Sequence, residues 1–241
     1  MEAIEIGLRS LGIGPGDEVI TTAMTAFATV LAVLRAGAIP VLADIDPMTG
    51  LLDLSSVKRC LTAKTKAVLL VHLYGHVSNM DSWVEFCSNH QVFLLEDCAQ
   101  SHLAKWKGKS SGSFGKWGAF SFYPTKNLGA LGDGGALVTW DKQVSEKAKI
   151  LRNYGQSIRY HHPELGLNSR LDELQAALIS VRFNWLDRFT ERRKKIAKSY
   201  YEGISNPLIA FLSRPRDEEN HVYHLFVILC EDRDDLFALQ D

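Results

Sequence analysis

The sequence predicts an α/β fold, a mostly parallel sheet covered by helices on both faces. Three observations predict it. Short apolar runs alternate with amphipathic stretches through the first hundred residues, as strands alternating with helices do. Two of those runs end in acids: Ile39 to Ala43 runs into Asp44 and Asp46, and Val92 to Leu95 runs into Glu96-Asp97. Acids at the carboxyl end of a buried strand face the crevice where open α/β sheets bind ligands. The third is the stretch Ser113 to Thr139, SFGKWGAFSFYPTKNLGALGDGGALVT, in which two β-prone runs flank a glycine-rich turn.

Taken in order, Met1 to Leu11 places Ile4, Leu8 and Leu11 at helical spacing, and Gly12, Gly14, Pro15 and Gly16 end that helix. Glu18 to Thr21 reads as a short buried strand. Thr25 to Ala36 is apolar and small, with Gly37 as its C-cap. Ile39 to Ala43 is the next strand, and Asp46-Pro47 opens a turn rather than a metal site. The alternation continues with a helix near Leu54 to Leu61, a strand Ala67 to Val71, a helix near Met80 to Asn89 and the strand Val92 to Leu95. Ala119 to Tyr123 is a strand stopped by Pro124, which has no N–H to continue a ladder. Ala136 to Trp140 is the strand after the glycines.

Val144 to Asn153 is a mixed helix and Tyr154 to Gly166 a polar loop. His161 and His162 in that loop have the wrong spacing for a helical metal pair. Asn168 or Ser169 is placed to cap the following helix. Trp185 to Tyr201 is a long amphipathic helix. Its basic run Glu191 to Lys195 is a solvated face. His221 to Leu229 is a strand, and Asp232 to Gln240 begins a helix.

Composition sets the outer bounds. The 241 residues suffice for one large domain or one and a half. With 27 basic and 28 acidic residues the net charge is −1, so nothing calls for nucleic acid or an anionic membrane. Cys60, Cys87, Cys98 and Cys230 have no metal-ligand spacing and read as free thiols of a reducing cytosol. No stretch is apolar and long enough to span a bilayer, and no signal pattern opens the chain.

Lys126 is the residue with chemistry to offer. It follows Pro124-Thr125 and precedes Gly129, Gly132, Gly134 and Gly135. A lysine presented from such a turn between buried strands is held partly away from water. Desolvation lowers its pKa and makes the amine nucleophilic, as a Schiff-base lysine requires. Asp97 belongs to the same crevice. A lysine that carries the cofactor and a carboxylate that keeps a ring nitrogen protonated are the parts of a pyridoxal phosphate site. His72 and Tyr74 in VHLYG face the same edge as Asp97, with His72, like His102, in a supporting role.

Asp97-Cys98-Ala99-Gln100-Ser101-His102, then Gly112 to Gly115, then Phe120 to Gly129 resembles the DegT/DnrJ/EryC1/StrS family of sugar aminotransferases. GIGPGDEVITT, PVLADIDPMTG, VHLYG, RNYGQ and LGLNSRLDELQAA extend the resemblance through nearly the whole chain. It implies the large domain of a fold type I pyridoxal phosphate enzyme at residues 1–183, and a linking helix with the start of a small α+β domain at 184–241. It implies pyridoxal 5'-phosphate as cofactor, a nucleotide-linked keto-sugar and an amino-acid donor such as glutamate as substrates, a homodimer, and a cytoplasmic place of work.

By that resemblance Lys126 bonds the cofactor, Asp97 pairs with its ring nitrogen, Gln100 lies beside the ring and Ser121 holds the phosphate. Asn168 reaches the neighbouring subunit's cofactor phosphate. The related dehydratases carry histidine where this chain has Lys126. Members have an aromatic stacking residue where Ala26 stands here. They also extend before Met1, with a glycine turn for the phosphate, and past Asp241. The chain is therefore expected to be truncated at both ends and to bind cofactor poorly alone. The competing expectation is a catalytically incompetent fragment that acts at most as a dimerising or binding module.

Overall fold

A computed structural model describes residues 1–231, 233 and 234. Helix α1 (Glu2–Ser10) precedes strand β1 (Glu18–Thr22). Then come α2 (Phe27–Arg35), β2 (Ile39–Ala43), α3 (Leu54–Cys60), β3 (Thr65–Val71), α4 (Met80–Asn89) and β4 (Phe93–Asp97). A small hairpin of β5 (Lys105–Trp106) and β6 (Lys109–Ser110) leads to β7 (Gly118–Ser121) and β8 (Gly135–Val138). Helices α5 (Lys142–Leu151), α6 (Glu173–Phe183) and α7 (Leu186–Gly203) follow, and then the short strands β9 (Ala210–Phe211) and β10 (Ile228–Leu229).

Six strands form the sheet in the order β2-β1-β3-β4-β7-β8, parallel except that β8 runs antiparallel to β7. Strand residues alternate between faces, and here both faces are apolar. Ile20, Val68 and Leu70 pack with Met80, Trp83 and Phe86 of α4 on one side. Val19, Ala67, Leu69 and Leu95 pack with Leu8 of α1 and Val33 of α2 on the other. This is why the strands read as continuous apolar runs. Helix starts follow their caps: Asp53 accepts the Ser56 amide, Asn79 that of Ser82, and Asp141 those of Gln143 and Val144. The Asp46-Pro47 turn forms, with the Met48 amide on the Asp46 carboxylate and the Gly50 amide on its carbonyl.

Three expectations are corrected. Neither Asn168 nor Ser169 caps α6, whose N-cap is Asp172. Residues 167–169 instead run extended against the end of α5, where the Leu167 amide reaches the Leu151 carbonyl and the Ser169 amide that of Arg152. His221 to Leu229 is not one strand: Ile228–Leu229 pairs with Ala210–Phe211, and His221 makes a single antiparallel bridge to His76. The preceding residues dock on the loop after β3, the Val222 amide to Gly75 and the Leu225 amide to Tyr74, and Tyr223 takes φ 47°. Gly75 permits this approach: its φ is +94°, and a Cβ there would lie 2.8 Å from Val222 and 2.9 Å from the Gln100 carbonyl. His72 does lie at the same edge as Asp97, its amide on the Asp97 carbonyl at 3.1 Å, but its ring is not beside Asp97: it is fully buried and turned to Glu96, the neighbour that points to the opposite face. The helix expected at Asp232 to Gln240 lies outside the described residues.

Candidate active site

Strands β4 and β7 lie side by side, with Asp97 opposite Ala119. Their carboxyl ends open on one crevice. After β7 the chain turns at once: the Lys126 amide donates to the Tyr123 carbonyl at 2.8 Å, and the Ala130 amide to that of Phe122 at 2.7 Å. Gly129 closes this turn, since a Cβ there would sit 2.4 Å from the Pro124 carbonyl oxygen. Lys126 ends half-buried. Burial lowers its pKa and the nearby Asp97 carboxylate pulls it back up.

Asp97 is 5% exposed. Its Oδ1 accepts the Ala99 amide at 3.0 Å, and its Oδ2 accepts the Thr29 hydroxyl at 2.8 Å. Thr29 was not singled out from sequence. The available signal was the Thr25/Thr29 pair four residues apart at a helix start, one side of one turn. Ser121 closes β7, and its hydroxyl accepts the Tyr123 amide at 3.3 Å. Gln100 accepts the Tyr74 amide at 2.6 Å, which fixes the loop after β3. Asn168 is exposed, and its segment bridges to Asn153. No hydrogen bond among the described residues ties it to Lys126, Asp97 or Ser121 of the same chain.

Two further groups come from elsewhere in the chain. His102 is buried against Phe120 and Phe122. Burial, then His224 and Lys126, press its pKa down to about 4. His224 is pressed to about 4 by burial, Lys126 and Arg193. Its Nδ1 lies 3.0 Å from Oδ1 of Asn127, whose amide nitrogen donates to the Val222 carbonyl at 3.3 Å. Arg193 on α7 donates to the carbonyls of Tyr223 and His224. The lysine turn is thus tied to a segment a hundred residues later.

On the other face, Glu96 is fully buried and saturated. Oε1 accepts the amides of Phe114 and Gly115, and Oε2 accepts the Gly112 amide and His72 Nε2. Burial alone would raise the Glu96 pKa, but His72 and the Gly115 and Gly112 amides hold it below its usual value. His72, Glu96 and Cys98 lie close enough to suggest a metal. However, both Glu96 oxygens are occupied, and burial pushes the Cys98 thiol far up, away from the thiolate a metal binds.

The donor set fits pyridoxal phosphate: an amine of lowered pKa for its aldehyde, a buried carboxylate for its ring nitrogen, and a strand-end hydroxyl for its phosphate.

Residues 1–240 match the DegT/DnrJ/EryC1/StrS aminotransferase family. The chain belongs to this family. It is 45% identical over 239 residues to a Geobacillus stearothermophilus "pleiotropic regulatory protein", covering 98% of this chain and 64% of that one. It is 43% identical over 236 residues to a Streptomyces venezuelae dTDP-3-amino-3,4,6-trideoxy-alpha-D-glucose transaminase, covering 98% of this chain and 62% of the enzyme. The crystal structure of S. venezuelae DesV in complex with a ketimine intermediate superposes with TM-score 0.94 at 43% identity, over 98% of this chain and 64% of DesV. Bacillus subtilis NtdA with bound cofactor PMP gives 0.88 at 32%, over 98% and 55%. The chain thus spans somewhat under two thirds of the curated relatives' length.

Proposed function

We propose that this family member works as a pyridoxal-phosphate-dependent aminotransferase that moves an amine from an amino acid, glutamate among the candidates, to a nucleotide-linked keto-sugar in the cytoplasm. One observation carries the reading: the half-buried Lys126, its pKa lowered by burial, follows the strand whose Ala119 pairs with the buried Asp97. When bound, the cofactor supplies an electron sink for the carbanion formed as the Cα proton leaves. Lys126 would hold the cofactor through its amine, and that amine, once free, would serve as the base that moves a proton at the substrate carbon. Asp97 would keep the ring nitrogen protonated, Gln100 would support the ring, and Ser121 would donate to the phosphate. His102 and His224, kept neutral beside Lys126, add no competing positive charge.

The site is shared in a homodimer, with Asn168 reaching the neighbour's phosphate. Helix α6 supports this, since it buries no residue of its own and leaves Leu174 72%, Val181 61% and Phe183 56% exposed. No helix among the described residues is long and apolar enough to cross a membrane. The half-buried Lys126 and the buried Asp97 speak against a purely binding or dimerising role, in which neither would need its setting. Borohydride reduction of the cofactor-loaded protein, followed by peptide mapping, is expected to leave the pyridoxyl label on Lys126. A label on another lysine, or none, defeats the reading.

A further inference from the structure

We propose that Thr29 is a positioning residue for Asp97, aiming its carboxylate at the cofactor ring nitrogen; this rests on the cofactor reading above. A threonine in the first turn of a helix ordinarily bonds back to its own helix or meets solvent. Thr29 does neither. It is 1% exposed, and its hydroxyl lies 2.8 Å from Asp97 Oδ2, 68 residues away in sequence.

The direction of that bond follows from chemistry. An ionised carboxylate only accepts, so the Thr29 proton goes to Asp97. Thr29 then has no proton left for Thr25, whose hydroxyl is also 2.8 Å away, so Thr25 is the donor there. The result is a one-way chain, Thr25 to Thr29 to Asp97. Its middle member is β-branched, on a helix locked by the fully buried Ala32 and Val33.

The carboxylate is therefore gripped from two sides. The Ala99 amide holds Oδ1 from β4's own continuation, and Thr29 holds Oδ2 from α2. The torsion that turns a carboxylate about its last carbon–carbon bond is soft, and one donor leaves it free to swing. Two donors fix its plane and leave lone pairs for a ring N–H.

The test compares pyridoxal phosphate with its 1-deaza analogue, which has carbon in place of the ring nitrogen, by titrating purified wild type, Thr29→Val and Thr29→Ser, each extended at both ends to the length of its relatives. Valine keeps the shape and removes the donor. Thr29→Val is expected to bind pyridoxal phosphate about tenfold more weakly, the scale of one hydrogen bond to a charged group. It should bind the deaza analogue like wild type, because that ligand has nothing for Asp97 to meet. Thr29→Ser should retain wild-type affinity for both. Equal weakening toward both ligands would show a packing role, and unchanged binding of pyridoxal phosphate would show none; either overturns the proposal. Wild type that binds neither ligand, or does not distinguish them, would instead defeat the cofactor reading on which it stands.

Discussion

Glu96→Gln isolates the buried carboxylate that holds the loop before β7 in place. Glu96 accepts four hydrogen bonds at 2.7–3.0 Å and has no exposure. Glutamine keeps one acceptor oxygen. With that oxygen toward Phe114 and Gly115, its NH2 meets the Gly112 amide and His72. His72 can switch tautomer to accept, since its Nδ1 is buried without a partner and is free to take the proton. Gly112 cannot, so one buried N–H is left facing a donor. An unsatisfied buried donor costs about 1–3 kcal/mol, and the weakening of charge-assisted bonds adds about as much. A loss of about 3 kcal/mol corresponds to a melting point lower by roughly 6–12 °C for a chain of this size. The pH dependence supplies the control. The Glu96 pKa is lower in the folded state than the reference 4.5, so its stabilisation is complete above that value and lost as pH falls through the folded pKa. The gap between wild type and variant should therefore be widest near neutrality and shrink below pH 4.5. Thermal unfolding of both proteins across this range is the assay. A melting point within about 2 °C of wild type at pH 7, or a gap that does not narrow in acid, would refute the reasoning.

Two other outcomes follow from the same geometry. His76, His102 and His224 are each pressed to about 4, and His221 well below 6.5, in every case mainly by burial. Between pH 6.5 and about 4 the unfolded chain therefore binds protons that the folded chain does not, and stability should fall across that window, with a shallower slope in His102→Phe; a urea midpoint as high at pH 5 as at pH 7.5 would contradict this. In protein extended at both ends to the length of its relatives, mixing Lys126→Ala and Asn168→Ala protomers should restore part of the activity that each homodimer lacks, because one hybrid site is intact; no recovery, with subunit exchange demonstrated, would mean that each site is built within one chain.

The sheet was legible because its signal is local. Each strand is a short apolar run between turn residues, and parity alone sends Leu69 and Leu70 to opposite cores. Lys126 was legible for a similar reason, since Pro124 and Gly129 announce the turn that presents it. Thr29 and His224 were not. Each acts through a partner 68 or 97 residues away, and the Thr25/Thr29 spacing alone does not name Asp97 as the acceptor. The two misread segments failed because tertiary partners overrode local preference. Asn168 and Ser169 have the side chains of a cap, but the end of α5 claims their backbone. HVYHLFVIL alternates like a strand, but no sheet edge is offered to its first half, and the Gly75 loop takes it instead.

That docking bears on how the molecule moves. The boundary expected from sequence after residue 183 would place Lys126 on one side and His224 on the other. Asn127, the residue after the lysine, bonds to both Val222 and His224 across it. Asn127 is 4% exposed, so these bonds are shielded from water and expensive to break without replacement. Arg193 fastens the same two-residue stretch to α7 through the carbonyls of Tyr223 and His224. A rigid rotation of α7 away from the sheet would pull His224 off Asn127 and loosen the lysine turn. The segment 221–225 therefore belongs mechanically to the large unit.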